Sequence, residues 1–577
     1  MQDTDMKHDP TDAMCTMDGS LEQPLVLTSE DELQWTDSAD FVVVGYGGAG
    51  VSAAVQAAQN GLSVIALDSF AGGGATAMNG GIFYAGGGTA VQQALGIKDT
   101  AEDMYNYLKL EVDGVVKAET LRRFCEGSVD DFNWLVTHGV RFGETYYPHK
   151  TFYPPAGYFL YHSDSGLAAT YAAQTPSIPR GHKYWHARNN QATGFGIYLT
   201  EPLQASAKAL GVRFWPRTNV QRMIMSKAGD VLGVMTLHMP EGSPYTKQFA
   251  EAQERARAIL QKLPSSMPGF PKLERKAAGY WARAQQLQQK YGVPQFIRAY
   301  KGVCLSAGGF IWNRNMLREH AAKYVSNMAM GSPGGDNGSG ILLGQSAGGA
   351  ADLMERVSSW RFINPPAQWP KGMLINAAGQ RFVNEELYGA AIGREMNENH
   401  GGRGYIILDR ALYRQSWRST LWENLFPFMR LPLILALIFQ TKKGRTLGSL
   451  AKKIGVSEET LLASVKRYNE SARGYSPDEF GKSAKECHPL LEGPFYAVDV
   501  SANSKLFPCS AMTVGGLKVN EETGQVLRAD GSSIAGLYAA GRTAIGLPSN
   551  LYVSGLSAAD CVFSGRRAAR HASAQVR

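Results

Sequence analysis

One short stretch near the start constrains this 577-residue chain more than any other. Asp40-Phe-Val-Val-Val-Gly-Tyr-Gly-Gly-Ala-Gly50 is an apolar, mostly β-branched run that ends in spaced glycines. The small-residue segment 51–60 follows, then a second apolar run, Ser63–Leu67, closed by Asp68. Pattern and length predict strand, tight turn, helix and strand, hence an α/β fold with a Rossmann-like unit. Each small residue has a mechanical task. Gly45 permits the tight turn, and Gly47 lets the backbone touch a pyrophosphate, with Gly48 and Ala49 opening the helix whose N-terminus stabilises the anion. Gly50 lets helix and strand pack closely. Asp68, followed by Ser69, can accept hydrogen bonds from a ribose 2′-hydroxyl. The unit therefore predicts a bound dinucleotide.

Glycine makes up 64 of 577 residues, about 11%, against a usual share of about 7%. Without a G-X-Y period, the surplus belongs in tight loops. A second loop, Ala71-Gly-Gly-Gly-Ala-Thr-Ala-Met-Asn-Gly-Gly81, follows the acid directly, and Gly86-Gly-Gly88 follows that. A nicotinamide needs no such second loop; a larger cofactor does. The six cysteines are scattered without a CxxC pair, so no metal, cluster or c-type haem ligands are expected and no disulfides either. Net charge is +7, but residues 1–39 hold ten acids and one lysine, which leaves +16 on the body. Residues 1–37 read as a flexible acidic arm, not a secretory signal, and no apolar run reaches the ~18 residues of a spanning helix. A cytoplasmic protein is expected, with nucleic acid a poor partner because no recognition module is visible.

Further along, 92–142 read as amphipathic helices and 211–238 as strands. Residues 246–291 read as two basic amphipathic stretches split by Pro264 and Pro268. Gly302–Phe310 and Gly536–Gly541 are apolar strands meeting glycines. A glycine-dense patch, Gly331–Gly349, leads into a small-residue helix, and a last helix runs from Ser557 through Arg570.

The first loop, Gly73–Gly81, Ala307-Gly-Gly309, Thr513-Val-Gly-Gly516 and Gly536–Gly541 occur in the order seen in flavoproteins of the fumarate reductase and 3-ketosteroid dehydrogenase group, which this chain resembles over roughly 38–235 and 299–577. The resemblance implies a discontinuous FAD domain (38–350 and 496–577, with a helical insertion at 240–296) and an inserted α+β catalytic domain (351–495). It places adenosine near Gly45–Gly50, Asp68, Ser69 and Val220. The flavin end would lie near Ala75, Thr76, Gly80, Gly81, Gly541, Arg542, Ser557 and Ala558. No histidine stands between Gly72 and Gly88, so FAD is expected to be non-covalent.

The departures from the reductases point to the substrate. Met512 stands where they carry a histidine, and Tyr552 and Tyr388-Gly389 where they carry arginines. Two carboxylates cannot be buried without fixed cations. The expected substrate is therefore uncharged and apolar, with one carbonyl. Gly73–Gly81, with Ile82-Phe-Tyr-Ala behind it, and Leu551-Tyr-Val-Ser-Gly555 resemble the ketosteroid enzymes acting at the 4,5 bond. The catalytic group implied is Tyr388, Tyr552 and Ser554: Tyr552 donates to the 3-oxo oxygen, Ser554 and Tyr388 pass on the alpha proton, and hydride goes to flavin N5. Each also reads as an ordinary buried tyrosine or turn serine. Alternatives are 1,2-desaturation, the reverse ene-reductase, or a non-catalytic flavin- or sterol-binding protein at a membrane. The electron acceptor and the oligomeric state are not legible.

Leu425–Phe439 is very apolar and is followed by Lys442, Lys443 and Arg445. It suits either an interfacial anchor at 425–445, peripheral on the inner membrane face, or a core helix of the catalytic domain. The basic helices of 246–291 are expected to share that surface or to serve an oligomer interface.

Overall fold

The apolar runs form the centre of a nine-stranded sheet in a computed structural model that describes residues 23–185, 194–262 and 269–575. Most of the acidic arm, Cys15, Pro264 and Pro268 lie outside the described residues. In chain order the sheet contains β1 (Leu25–Leu27), β2 (Asp37–Val44), β3 (Val64–Leu67), β4 (Arg213–Trp215), β5 (Thr218–Ser226), β6 (Val231–His238), β7 (Val293–Leu305) and, near the end, a short strand at Gln525–Leu527 and β8 (Ser533–Ala539), which pair with each other. Strands β7, β2, β3 and β4 run parallel, and β8 joins the far end of β7 in parallel. β6 pairs antiparallel with both β5 and β7.

The side-chain period of β2 explains how the sheet is covered. Phe41 and Val43 enter one apolar core, with helix α1 (Gly48–Gln59), while Val42 and Val44 enter the core on the other face. All four are buried. Continuous apolar strands of this kind belong to sheets packed on both sides.

Two further sheets position the site. The strands Ile82–Tyr84, Gly181–Lys183, Leu160–Tyr161 and Tyr146–Tyr147 form one. The strands Met373–Ile375, Tyr405–Leu408, Phe495–Asp499 and Thr441–Gly444 form the other, under a separate core. Within that core Arg381 pairs with Glu385 at 2.8 Å and Asp478 at 2.5 Å, and Lys482 lies 3.1 Å from Glu385. Burial alone would push the Glu385 carboxyl up; Lys482 and Arg381 outweigh it and hold it down to about 2. The Arg381–Glu385 stretch is therefore the electrostatic centre of this unit.

The fold is α/β with a Rossmann-like unit, as the sequence predicts. The arm differs from expectation. Its described part is built into the sheet: β1 pairs in parallel with β5, Arg213 holds Asp37 at 2.8 Å, and Arg298 pairs with Glu30. Leu25 and Leu27 offer an apolar edge, and Glu30 and Asp37 meet arginines of the basic body.

Helix α2 (Pro244–Leu260) and helix α3 (Phe270–Tyr291) form the insertion and pack through Ala256, Leu260, Phe270 and Ala277. They are followed in the chain by α4 (Pro427–Phe439) and the terminal α5 (Leu556–Ala574). Exchanging glycine for alanine inside a helix usually stabilises it by about 0.5–1 kcal/mol. At Gly50 a Cβ would sit 1.9 Å from the Gly45 carbonyl oxygen, whereas at exposed Gly279 it would meet nothing within 4 Å. Gly279→Ala should raise the urea midpoint slightly, while Gly50→Ala should lower it and release bound flavin. Equal effects of the two substitutions would contradict this packing.

Candidate active site

A cavity of about 1200 Å³ runs from the sheet to the second unit. Typical single-ligand pockets hold about 300–1,000 Å³, so this one has room for two molecules side by side. Most of the residues singled out in the sequence converge on it. Gly45, Gly47, Gly48, Ala49, Asp68, Ser69, Ala75, Thr76, Gly80, Val220, Gly541, Arg542, Ser557 and Ala558 all line its wall, with Tyr388, Tyr552 and Ser554. Gly50 and Gly81 do not. Gly50 packs on Gly45, and a Cβ at Gly81 would lie 2.4 Å from that of Phe195, so both glycines serve close packing behind the wall.

The lining fits a flavin dinucleotide on physical grounds. Two helices point uncapped N-termini at the same space: α1 after Gly47 and α5 after Gly555, neither with a side-chain cap. The helix dipole favours negative charge at both, although the Gly48 N–H of α1 is already taken. Thr76 Oγ1 accepts from the Gly48 N–H at 3.1 Å and ties the second glycine loop to the first. Asp68 accepts from the N–H groups of Tyr46 and Phe70, both at 2.8 Å. Burial pushes its carboxyl up while those backbone bonds oppose the rise. Arg542 donates to Asp336 at 2.6 Å, and its other nitrogen, Nη1, is buried without a partner among the described residues. Such an orphaned donor on a cavity wall calls for an acceptor on a ligand. No cluster of metal-ligating side chains occurs among the described residues.

The other end of the cavity is aromatic. Trp360 lies 5.1 Å from Tyr552, Phe362 lies 5.4 Å from Tyr388, and Phe152 stacks on Phe362 at 4.3 Å. Met512, Met429 and Leu433 fill the remaining wall. Arg361 also lines the cavity, but its Nη atoms donate to the Phe507 and Ser501 carbonyls. Burial pushes the Tyr552 phenol up to about 12 and the Tyr388 phenol well above its ordinary range, so both stay protonated at neutral pH. A hydrogen bond with Ser554 opposes the rise at Tyr388 and likewise at Tyr161. Tyr161 thus joins a hydroxyl chain that sequence reading did not find. It sits in a strand at 160–161 with no motif around it. Trp360 and Phe362 were equally silent, since an aromatic wall has no spacing rule.

The segments carrying Ser554 and Tyr388 are held from outside. Ser554 N–H donates to the Ser163 carbonyl and Ser163 Oγ donates back to the Ser554 carbonyl, both at 3.0 Å. Tyr388 N–H donates to Ser165 Oγ at 3.0 Å. The Glu111 carbonyl, on the helix Ala101–Val112, accepts from Leu551 N–H and from Asn550 Nδ2.

A dinucleotide cradle opening onto a neutral aromatic chamber defines a flavoprotein oxidoreductase, and the chain belongs to the FAD binding domain family, which matches residues 40–552. It is 37% identical over 522 residues to the 3-oxo-5-alpha-steroid 4-dehydrogenase of Comamonas testosteroni, covering 89% of this chain and 94% of that protein. It is 25% identical over 548 residues to a 3-oxosteroid 1-dehydrogenase of Mycolicibacterium smegmatis, covering 87% and 91%. Its structure is similar to that of the 3-ketosteroid-delta4-(5alpha)-dehydrogenase from Rhodococcus jostii RHA1 in complex with 4-androstene-3,17-dione. That match has a TM-score of 0.78 and 28% identity over 96% of this chain and 100% of the other. The protein is an FAD-dependent oxidoreductase.

Glu111 gives this scaffold a pH signature. Burial raises its carboxyl from 4.5 to about 7, although the Tyr107 hydroxyl donates to it at 2.6 Å. The folded chain then binds more protons than the unfolded one between these values. Stability from this group is highest below pH 4.5, falls as pH rises, and is lowest above pH 7. The shift corresponds to about 3 kcal/mol. Glu111→Gln should make denaturant stability decline less between pH 5 and 8 and should exceed the parent above pH 7. An unchanged slope would show that Glu111 ionises freely in the fold.

Proposed function

We propose that the protein removes two hydrogens from a 3-oxosteroid, introducing the 4,5 double bond beside the ketone, with FAD held non-covalently. The observation that carries this reading is the cluster of Tyr552, Tyr388 and Ser554 beneath an aromatic wall at the N-terminus of α5. Bound FAD supplies the hydride acceptor at N5. The aromatic wall excludes water and takes a flat apolar ring system. Tyr552, a phenol kept protonated by burial, donates to the 3-oxo oxygen and stabilises the negative charge that grows there as the alpha proton leaves. Ser554 takes up that proton as it gives its own to Tyr388 or Tyr161, and the phenol that receives it releases its own proton to bulk water, so the relay ends the step neutral. The 37% identity to a 4-dehydrogenase against 25% to a 1-dehydrogenase favours the 4,5 bond.

Tyr552→Phe should retain bound flavin yet slow its anaerobic bleaching by a saturated 3-oxosteroid by about 10²–10³-fold, the usual cost of one oxyanion donor. Ser554→Ala should slow it as well. Bleaching by Tyr552→Phe at the parent rate would remove the donor assignment, and no bleaching of the parent by any 3-oxosteroid would remove the reaction.

Substrate entry is read from α4. One side of the helix, with Met429, Pro432 and Leu433, lines the cavity. Leu431 and Phe439 are about 60% and 66% exposed, and Trp422, which ends the preceding helix, is 84% exposed. Lys442 and Lys443 follow, both exposed. An apolar face with a cationic border matches an anionic lipid surface, from which a sterol would pass directly to the cavity. No helix among the described residues is long and apolar enough to cross a membrane, so contact would be peripheral. The parent should sediment with phosphatidylserine vesicles, and Leu431→Ser with Phe439→Ser should abolish this while leaving turnover of detergent-dispersed steroid intact. Equal sedimentation of both would place the contact elsewhere or remove it.

A further inference from the structure

The insertion between β6 and β7 lies outside the glycine loops and the catalytic cluster, yet it forms a wall of the same cavity. Trp281, Ala284, Gln285, Gln288 and Gln289 of α3 recur at positions i, i+3, i+4, i+7 and i+8, and all five line the cavity. That spacing is one helical face. Its basic residues, Lys272, Arg275, Lys276, Arg283 and Lys290, are exposed on other sides. The cavity-lining residues of α3 thus carry carboxamides and an indole and no charge, while buried Glu274 on the same side pairs with Arg314 away from the lining. The membrane or oligomer role expected for these helices does not use this face.

The hairpin is fixed at the acid end of the cavity. Gln253 of α2 donates to the Ser69 carbonyl at 3.2 Å, one residue after Asp68. Gln288 accepts from Asn219 at 2.5 Å and donates to the Leu237 carbonyl at 3.1 Å, which ties α3 to β5 and β6. Arg257 lies over the Phe70 ring and faces Asp68 electrostatically. Trp281 abuts the glycine loop on the far side, where a Cβ at Gly334 would come within 2.4 Å of its ring. The Trp281 side chain is 8% exposed, and its Nε1–H is buried without a hydrogen-bond partner among the described residues. A buried indole N–H normally finds an acceptor.

We propose that the hairpin is a cofactor clamp: α3 closes over the adenosine half of FAD, with Trp281 and Gln285 recognising the neutral purine and ribose. The chemistry of the face suits that ligand. Uncharged amides and an indole pair with heterocycle nitrogens and hydroxyls and offer a phosphate nothing specific. The adjoining wall carries Asp68 and Val220, where a ribose and adenine belong. The inference rests on FAD occupying the cavity.

The test compares FAD with FMN, which lacks the adenosine half. Apoprotein from the parent, Trp281→Phe and Gln285→Leu would be titrated with each flavin and followed by quenching of flavin fluorescence. Trp281→Phe keeps the ring against Gly334 and removes only the donor. Each variant should bind FAD about ten-fold more weakly, the size of one buried hydrogen bond, and bind FMN as the parent does. Equal weakening of both flavins would assign the hairpin a general structural role and overturn the clamp, as would no change for either. If the parent distinguishes FAD from FMN while both variants match it, the adenosine is read by other residues and the proposal falls. If the parent binds neither flavin, the cofactor reading fails instead, which is a separate outcome.

Discussion

The structure depends on how closely four segments meet at the end of β2. A Cβ on Gly45 would stand 2.7 Å from the Ala307 Cα, so the turn after β2 and the loop after β7 are in backbone contact. Ser306 Oγ donates to the Val44 and Gly45 carbonyls and locks the two strand ends together. On the other side Gly541 and Gly565 let the C-terminal segment press on Ala49, with would-be Cβ contacts of 2.9 Å to the Ala49 side chain and 2.4 Å to its carbonyl. Residues near 45, 306, 541 and 565 thus share one point. Any side chain there would separate the helix N-termini that flank the cofactor space, so the discontinuity of the domain and its glycine content have one cause.

That cause also decides what was legible in the sequence. A glycine loop works through backbone approach, and backbone approach leaves a fixed spacing, so Gly45, Gly47 and Asp68 could be placed at a dinucleotide from the chain alone, whereas Thr76 and Ser557 came with the resemblance. Tyr388, Tyr552 and Ser554 were reachable only through resemblance, because a phenol at the right place in space leaves no local pattern. Tyr161 had neither signal. It comes to Ser554 through the small sheet at 146–184, whose strands of two or three residues carry no period worth reading. The acidic arm misled for another reason: composition argues for disorder, yet Leu25 and Leu27 find a free strand edge and Glu30 and Asp37 find arginines. Tertiary partners outweighed local bias. The helices of 246–291 were legible as helices, but not their cavity-facing side, since glutamines read as solvent-facing until a wall is known to lie opposite.

Charge is distributed along the cavity in a way that selects the chemistry. At the cofactor end, Asp68 has backbone donors, Arg542 has Asp336, and two helix N-termini supply diffuse positive potential. At the substrate end Arg361, the one guanidinium there among the described residues, gives both Nη atoms to carbonyls and keeps only its buried Nε–H without a partner. A dianion there would exchange its water for at most that one N–H, a cost of several kcal/mol for the charge left unpaired. A neutral ketone loses one weak hydration and gains a phenol. The same burial that denies entry to carboxylates pushes the Tyr552 phenol up to about 12, which keeps the donor protonated where it is needed. In the proposed reaction, exclusion of charged substrates and stabilisation of the enolate are therefore two results of one low-dielectric chamber. Its selectivity does not need a dedicated repulsive residue.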